Sequence, residues 1–112
     1  MARKRLCSVL VISSEQITLD SLESQLKDHG FEFTGVHGLR EAASTAQRKQ
    51  PDVILTDLRL AHESGLAVLQ HFRSQEQTID IPIVLLAPTE TQNRRHSVVE
   101  AVRLGANDVL FK

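Results

Sequence analysis

The stretch Val53-Ile54-Leu55-Thr56-Asp57 decides the fold. It is a short β-branched and apolar run, as expected for a strand covered on both faces, and a carboxylate closes it. Burying that carboxylate at the end of a strand is costly unless it has a partner or a task. Working outward, Ser8-Val9-Leu10-Val11-Ile12 and Ile83-Val84-Leu85-Leu86 are runs of the same kind. Phe31-Glu32-Phe33-Thr34-Gly35-Val36 alternates more, which suits a strand nearer a sheet edge, and Val109-Leu110-Phe111 supplies a fifth.

Between these runs the apolar spacing is helical. Leu19, Leu22 and Leu26 form a stripe stopped by His29-Gly30. Ala42, Ala43 and Ala46 mark a small-residue face that ends at Gln50-Pro51. Leu66, Leu69 and Phe72 mark a third helix, and Val98, Val99, Ala101 and Val102 a fourth that ends at Leu104-Gly105. Strict alternation of strand and helix predicts a doubly wound parallel sheet of the α/β class, because right-handed crossovers place helices on the sheet faces. The connections are too short for a linker, so residues 1–112 read as a single domain.

The chain has 112 residues, 41% hydrophobic and 24% charged, values typical of a globular domain. A net charge of −1 gives no global bias toward nucleic acid or membrane. No stretch approaches the ~20 apolar residues of a membrane span, and the apolar run after Arg3-Lys4-Arg5 is too short for a signal peptide. A single cysteine, Cys7, excludes an internal disulfide and reads as a small buried hydrophobe. His29, His37, His62, His71 and His96 show no metal-ligand spacing. A cytoplasmic protein is the expectation.

In open α/β sheets the ligand site lies beyond the carboxyl ends of the strands. Ser13-Ser14-Glu15-Gln16 follows strand one, Asp57 closes strand three, Ala87-Pro88-Thr89 follows strand four and Lys112 follows strand five. An acid and a lysine at the ends of nearby strands form an informative pair. Locally, Ser13 and Gln16 have the spacing of a capping box for helix one, and Thr89 with Gln92 that of an N-cap for helix four. Arg94-Arg95-His96 would be a solvated helix start or part of a partner surface.

With these residues in place, the chain resembles the receiver domain of two-component response regulators. The resemblance rests on Pro51 to Leu60 followed by Ser64-Gly65, on Leu22, Leu26, Gly30 and Phe31, on Ile81-Pro82-Ile83-Val84, and on Gly105-Ala106-Asn107-Asp108 with Lys112. It implies the flavodoxin-like receiver fold, a five-stranded sheet in the order 2-1-3-4-5, with a closing helix that is missing after Lys112. Apolar residues of strands one, two and three would then be open on one face, favouring self-association such as a dimer.

The resemblance makes Asp57 the candidate phosphoacceptor and Lys112 its phosphoryl-pairing lysine. The acidic pair that holds Mg²⁺ in the family falls on Ser13 and Ser14, with only Asp57 and Glu15 left as metal candidates. The switch hydroxyl falls on Ala87, the switch aromatic on Val109, and the proline of the phosphoacceptor loop on Ala61. Neutral hydroxyls are poor Mg²⁺ ligands. The expectation is a degenerate, non-enzymatic receiver acting as a protein-interaction module with impaired Mg²⁺-dependent phosphorylation. The alternative is an atypical receiver still phosphorylated on Asp57 by a histidine kinase. Implied partners are a histidine kinase or phosphotransfer protein, other signalling proteins or an output domain, without direct nucleic-acid or membrane binding. A small α/β enzyme fits less well, because strand one is followed by no glycine-rich phosphate loop and no nucleophile–base pair is evident.

Overall fold

A computed structural model describes residues 6–112. Its elements run β1 Ser8–Ile12, α1 Gln16–Asp28, β2 Glu32–Val36, α2 Leu39–Lys49, β3 Val53–Asp57, α3 Gly65–Arg73, β4 Ile83–Ala87, α4 Arg94–Arg103 and β5 Asp108–Phe111. All strand pairs are parallel, in the order β2-β1-β3-β4-β5. The doubly wound order expected from the sequence is the one observed. Every residue of β1 is buried, as its unbroken apolar run requires, whereas β2 at the edge buries only Val36.

Side chains alternate between two cores of unequal size. On one face Leu10, Ile12, Ile54, Ile83, Leu85 and Val109 pack against Ala42 and Ala46 of α2, Val68, Leu69 and Phe72 of α3, and Ala101 of α4. On the other face Val9 and Val11 meet Leu19, Leu22 and Leu26 of α1, with Phe33 and Leu55 alongside.

The helix ends differ from expectation in two places. The Ser13–Gln16 capping box does not form: α1 starts at Gln16 with Glu15 as its N-cap, which makes no side-chain cap bond, while the Ser13 hydroxyl donates to Asp57 and accepts only from the Glu15 N–H. Thr89 does not cap α4 either. Asn93 does so from the left-handed region (φ 51°), its Oδ1 accepting from the His96 N–H. At the other ends the expected stops hold: Gly30 takes φ +83° after α1, and Gln50 takes φ 48° after α2, just before Pro51.

Two burial expectations are corrected. Val99 and Val102 are about half exposed, since the inward face of α4 is carried by Ala101 with Val98 beside it. Cys7 lies at the rim of the sheet and is only partly buried. The open apolar surface expected over strands one to three is found in part: β1 is covered, whereas Phe33 of β2 and Val53 and Leu55 of β3 are only partly buried. A helix is about 10 Å across and strands are about 4.8 Å apart, so α1 covers about two strands, and it sits over β1 and β2. A further open part lies beside β4 and β5, where Leu110 is 51% exposed. A groove of about 430 Å³ there is lined by Ile17, Leu22, Leu86 and Lys112.

Candidate functional site

Strand register builds the site. Ile12 is paired with Thr56, so the next residues, Ser13 and Asp57, emerge side by side from the carboxyl ends of β1 and β3. Asp57 is also paired with Leu86 of β4. Lys112 follows the pairing of Phe111 with Ala87, and its N–H donates to the Ala87 carbonyl at 2.9 Å.

Asp57 is 3% exposed. The Ser13 hydroxyl donates to its Oδ2 at 2.5 Å, and the Lys112 ammonium stands 2.8 Å from its Oδ1. The lysine contact is an ion pair without the alignment of a hydrogen bond, so Oδ1 has a charge partner but no directed donor. Ser13 Oγ also accepts from the Glu15 N–H at 3.1 Å. The sequence-derived pair of Asp57 and Lys112 is therefore brought together, and Ser13 joins it.

The remaining candidates are placed as follows. The Glu15 carboxylate is exposed and makes no hydrogen bond or ion pair among the described residues. Ala87 is fully buried beside the site, and Val109 is packed in the larger core. Ser14 turns away from Asp57: its Oγ accepts from the Ala61 N–H at 2.6 Å and lies 3.4 Å from the His37 carbonyl. Gly65 is where the β3–α3 loop folds back over β3. A Cβ there would collide with the Asp57 carbonyl oxygen and crowd Leu58, and the Gly65 N–H donates to the Leu58 carbonyl at 2.7 Å.

Several contributors escape sequence reasoning. Glu63 accepts from the Leu39 N–H at 2.5 Å and so caps α2, whose own N-cap is Gly38. Arg94 stacks its guanidinium 4.6 Å from the Phe111 ring centre and donates to the Thr89 carbonyl at 2.6 Å. Local spacing signals neither the Glu63–Leu39 bond nor the Arg94–Phe111 stack, because each joins segments that meet only in the fold.

The sequence matches the response regulator receiver domain over residues 9–112. The chain belongs to this family. This receiver domain is 30% identical to the virulence transcriptional regulatory protein PhoP of Salmonella choleraesuis, over 93% of the chain and 44% of that protein. It is 24% identical to the phosphate regulon transcriptional regulatory protein PhoB of Pseudomonas aeruginosa, over 94% of the chain and again 44% of the relative. The chain thus spans less than half the length of these curated relatives. Among solved structures, the chemotaxis protein CheY4 of Vibrio cholerae superposes with a TM-score of 0.86 at 28% identity, covering 96% of this chain and 88% of that one. A response regulator receiver protein from Pseudomonas putida gives 0.86 at 26%, covering 98% and 88%.

Receiver domains generally bind Mg²⁺ at an acidic pocket. The donor set at this receiver's Asp57 differs from such an acidic pocket. Mg²⁺ demands near-octahedral, preferably anionic oxygen ligands. Here one carboxylate oxygen already accepts a hydroxyl proton, the other faces an ammonium, and the adjoining side chains are neutral serines. Among the described residues no group of three or more His, Cys, Asp or Glu is arranged to hold a metal. Among the described residues no helix is long and apolar enough to cross a membrane.

Proposed function

We propose that this receiver domain acts in two-component signalling as a protein-interaction module whose Mg²⁺-dependent phosphorylation is impaired. The observation that carries the reading is the Asp57 carboxylate held between the Ser13 hydroxyl and the Lys112 ammonium, with no cluster of acids beside it among the described residues. Attack of a carboxylate on a phosphoryl group depends on cations that neutralise the charge on the phosphoryl oxygens. Lys112 supplies one positive charge. The Ser13 hydrogen bond draws electron density from Oδ2 and makes that oxygen a weaker nucleophile. Ala87 offers no hydroxyl to a phosphoryl oxygen, and Val109 replaces the aromatic that would report the event.

The partners that fit are a histidine kinase or phosphotransfer protein, other signalling proteins, and an output domain in the same polypeptide. The module is not an enzyme in its own right, and a dimer is compatible with the apolar surface near Leu110. The test is intact-mass detection of an acid-stable, base-labile adduct after incubation with acetyl phosphate, with Asp57→Asn as control. Labelling should be slow or absent and indifferent to Mg²⁺. Replacing Ser13 and Ser14 by Asp should recover Mg²⁺ binding, and Ala87→Thr should be needed in addition for a conformational response. A fast, Mg²⁺-dependent adduct at Asp57 in the unmodified chain would overturn the reading and favour a working receiver in which Glu15 assists the metal.

A further inference from the structure

Two of the positions at which this chain departs from the receiver pattern touch each other. Ser14 stands where the second acid is expected, and Ala61 where the loop proline is expected. The Ala61 N–H donates to Ser14 Oγ at 2.6 Å, and a proline at 61 would have no N–H to give. Ser14 also approaches the His37 carbonyl, in the connection that leads from β2 into α2. Glu63, two residues beyond Ala61, reaches the same connection and accepts from the Leu39 N–H. That carboxylate lies at the positive end of α2, and Gly38 has no side chain to cap it. A Cβ on Gly38 would stand 3.1 Å from Glu63 Oε1, so glycine leaves room for the carboxylate to enter. Through these contacts the β1–α1 and β2–α2 connections are both tied to the β3–α3 loop.

We propose that Ser14, Ala61 and Glu63 form a metal-independent staple that holds the β3–α3 loop, residues 58–64, in one arrangement whatever the divalent cation concentration. Ser14 and Glu63 are its positioning residues. The loop is then ordered by a neutral hydroxyl and a helix cap, and a protein reading this edge meets a loop whose shape no cation sets. The inference rests on the reading of Asp57 as a site that takes no divalent ion.

The test is amide hydrogen exchange followed by NMR. In the unmodified chain, exchange at Ala61 and Leu39 should be the same with and without millimolar Mg²⁺. Ser14→Ala should speed exchange at Ala61 by roughly tenfold while Leu10 in the central strand is unaffected, and Ser14→Thr should restore the slower rate. Glu63→Ala should do the same at Leu39. In urea unfolding, Ser14→Ala and Ala61→Pro combined should shift the midpoint no further than the larger single change, since either one removes the same bond. Mg²⁺-sensitive exchange at Ala61 in the unmodified chain, or fully additive midpoint shifts, would overturn the staple. The phosphorylation assay separates the two readings. A fast Mg²⁺-dependent adduct with Mg²⁺-insensitive loop exchange defeats only the proposed function, and the reverse outcome defeats only the staple.

Discussion

Removing the lysine charge while keeping its length, as in Lys112→Met, tests the centre of the site. Asp57 has a side chain only 4% exposed, and its Oδ1 has no directed hydrogen-bond donor. Losing one partner of a fully buried ion pair costs about 3–5 kcal/mol, because the other charge stays buried and uncompensated. Lys112 is 36% exposed, so water screens the pair and replaces part of what the ammonium supplies. The expected loss is therefore about 1–2 kcal/mol, or a melting temperature lower by about 4–16 °C for a domain of this size. The Ser13 bond to Oδ2 remains and keeps the loss below the fully buried figure. Asp57→Asn removes the charge instead, and combining it with Lys112→Met should recover most of the lost stability. Urea unfolding of the four variants gives the coupling directly, and moderate salt should weaken it little because one partner is buried. If Lys112→Met is neutral and the coupling falls below about 0.3 kcal/mol, the pair is solvent-screened and does not hold the site together.

Gly65→Ala should destabilise by about 1–3 kcal/mol, since the new methyl meets the main chain of Asp57 and Leu58, which cannot turn aside as a side chain would. A neutral result by thermal unfolding would show that the loop gives way freely. Arg73 donates to the carbonyls of Gly105, Ile79 and Ile81 and to Asn107 Oδ1, joining α3 to the segments that enter β4 and β5. Arg73→Ala should cost about 2–4 kcal/mol in urea unfolding, with little of it recovered by Arg73→Lys, whose single ammonium cannot span that set of acceptors. Full rescue by lysine would mean that charge alone matters there.

What the sequence reveals and what it hides follow from the range of each interaction. The parallel layered sheet is legible because unbroken apolar runs such as Val9 to Ile12 and Ile83 to Leu86 require cover on both faces, whereas the order 2-1-3-4-5 comes from the family resemblance. Asp57 is legible because an acid closing such a run needs a partner, and the lysine closing the last run is a ready one. The helix caps misled because local spacing competes with distant bonding. Ser13 sits three residues before Gln16, as a capping box requires, yet its hydroxyl goes to a carboxylate 44 positions away. The α4 stripe misled in a similar way: four apolar residues in five leave the inward face undetermined, and the sheet selects Ala101. The Ser14 bond to Ala61 spans 47 positions and leaves no periodic trace in the sequence.

Charge balance explains why this edge holds together on its own. Two acids beside Asp57 would place three carboxylates at the end of one sheet, an arrangement that repels itself unless a cation joins it. With serines at 13 and 14, the buried carboxylate carries one negative charge and Lys112 one positive charge, so the site is neutral as it stands. Replacing an acid by serine therefore removes a metal ligand and the need for a metal together. The freed hydroxyls are then used as an ion would be used. Ser13 satisfies an oxygen of Asp57, and Ser14 binds the loop that follows it through the N–H that Ala61 provides. On this view Ser13, Ser14 and Ala61 act together at this edge. Restoring the two acids removes Ser14 as well, so a metal site would return beside a loop whose Ala61 N–H has lost the serine that held it.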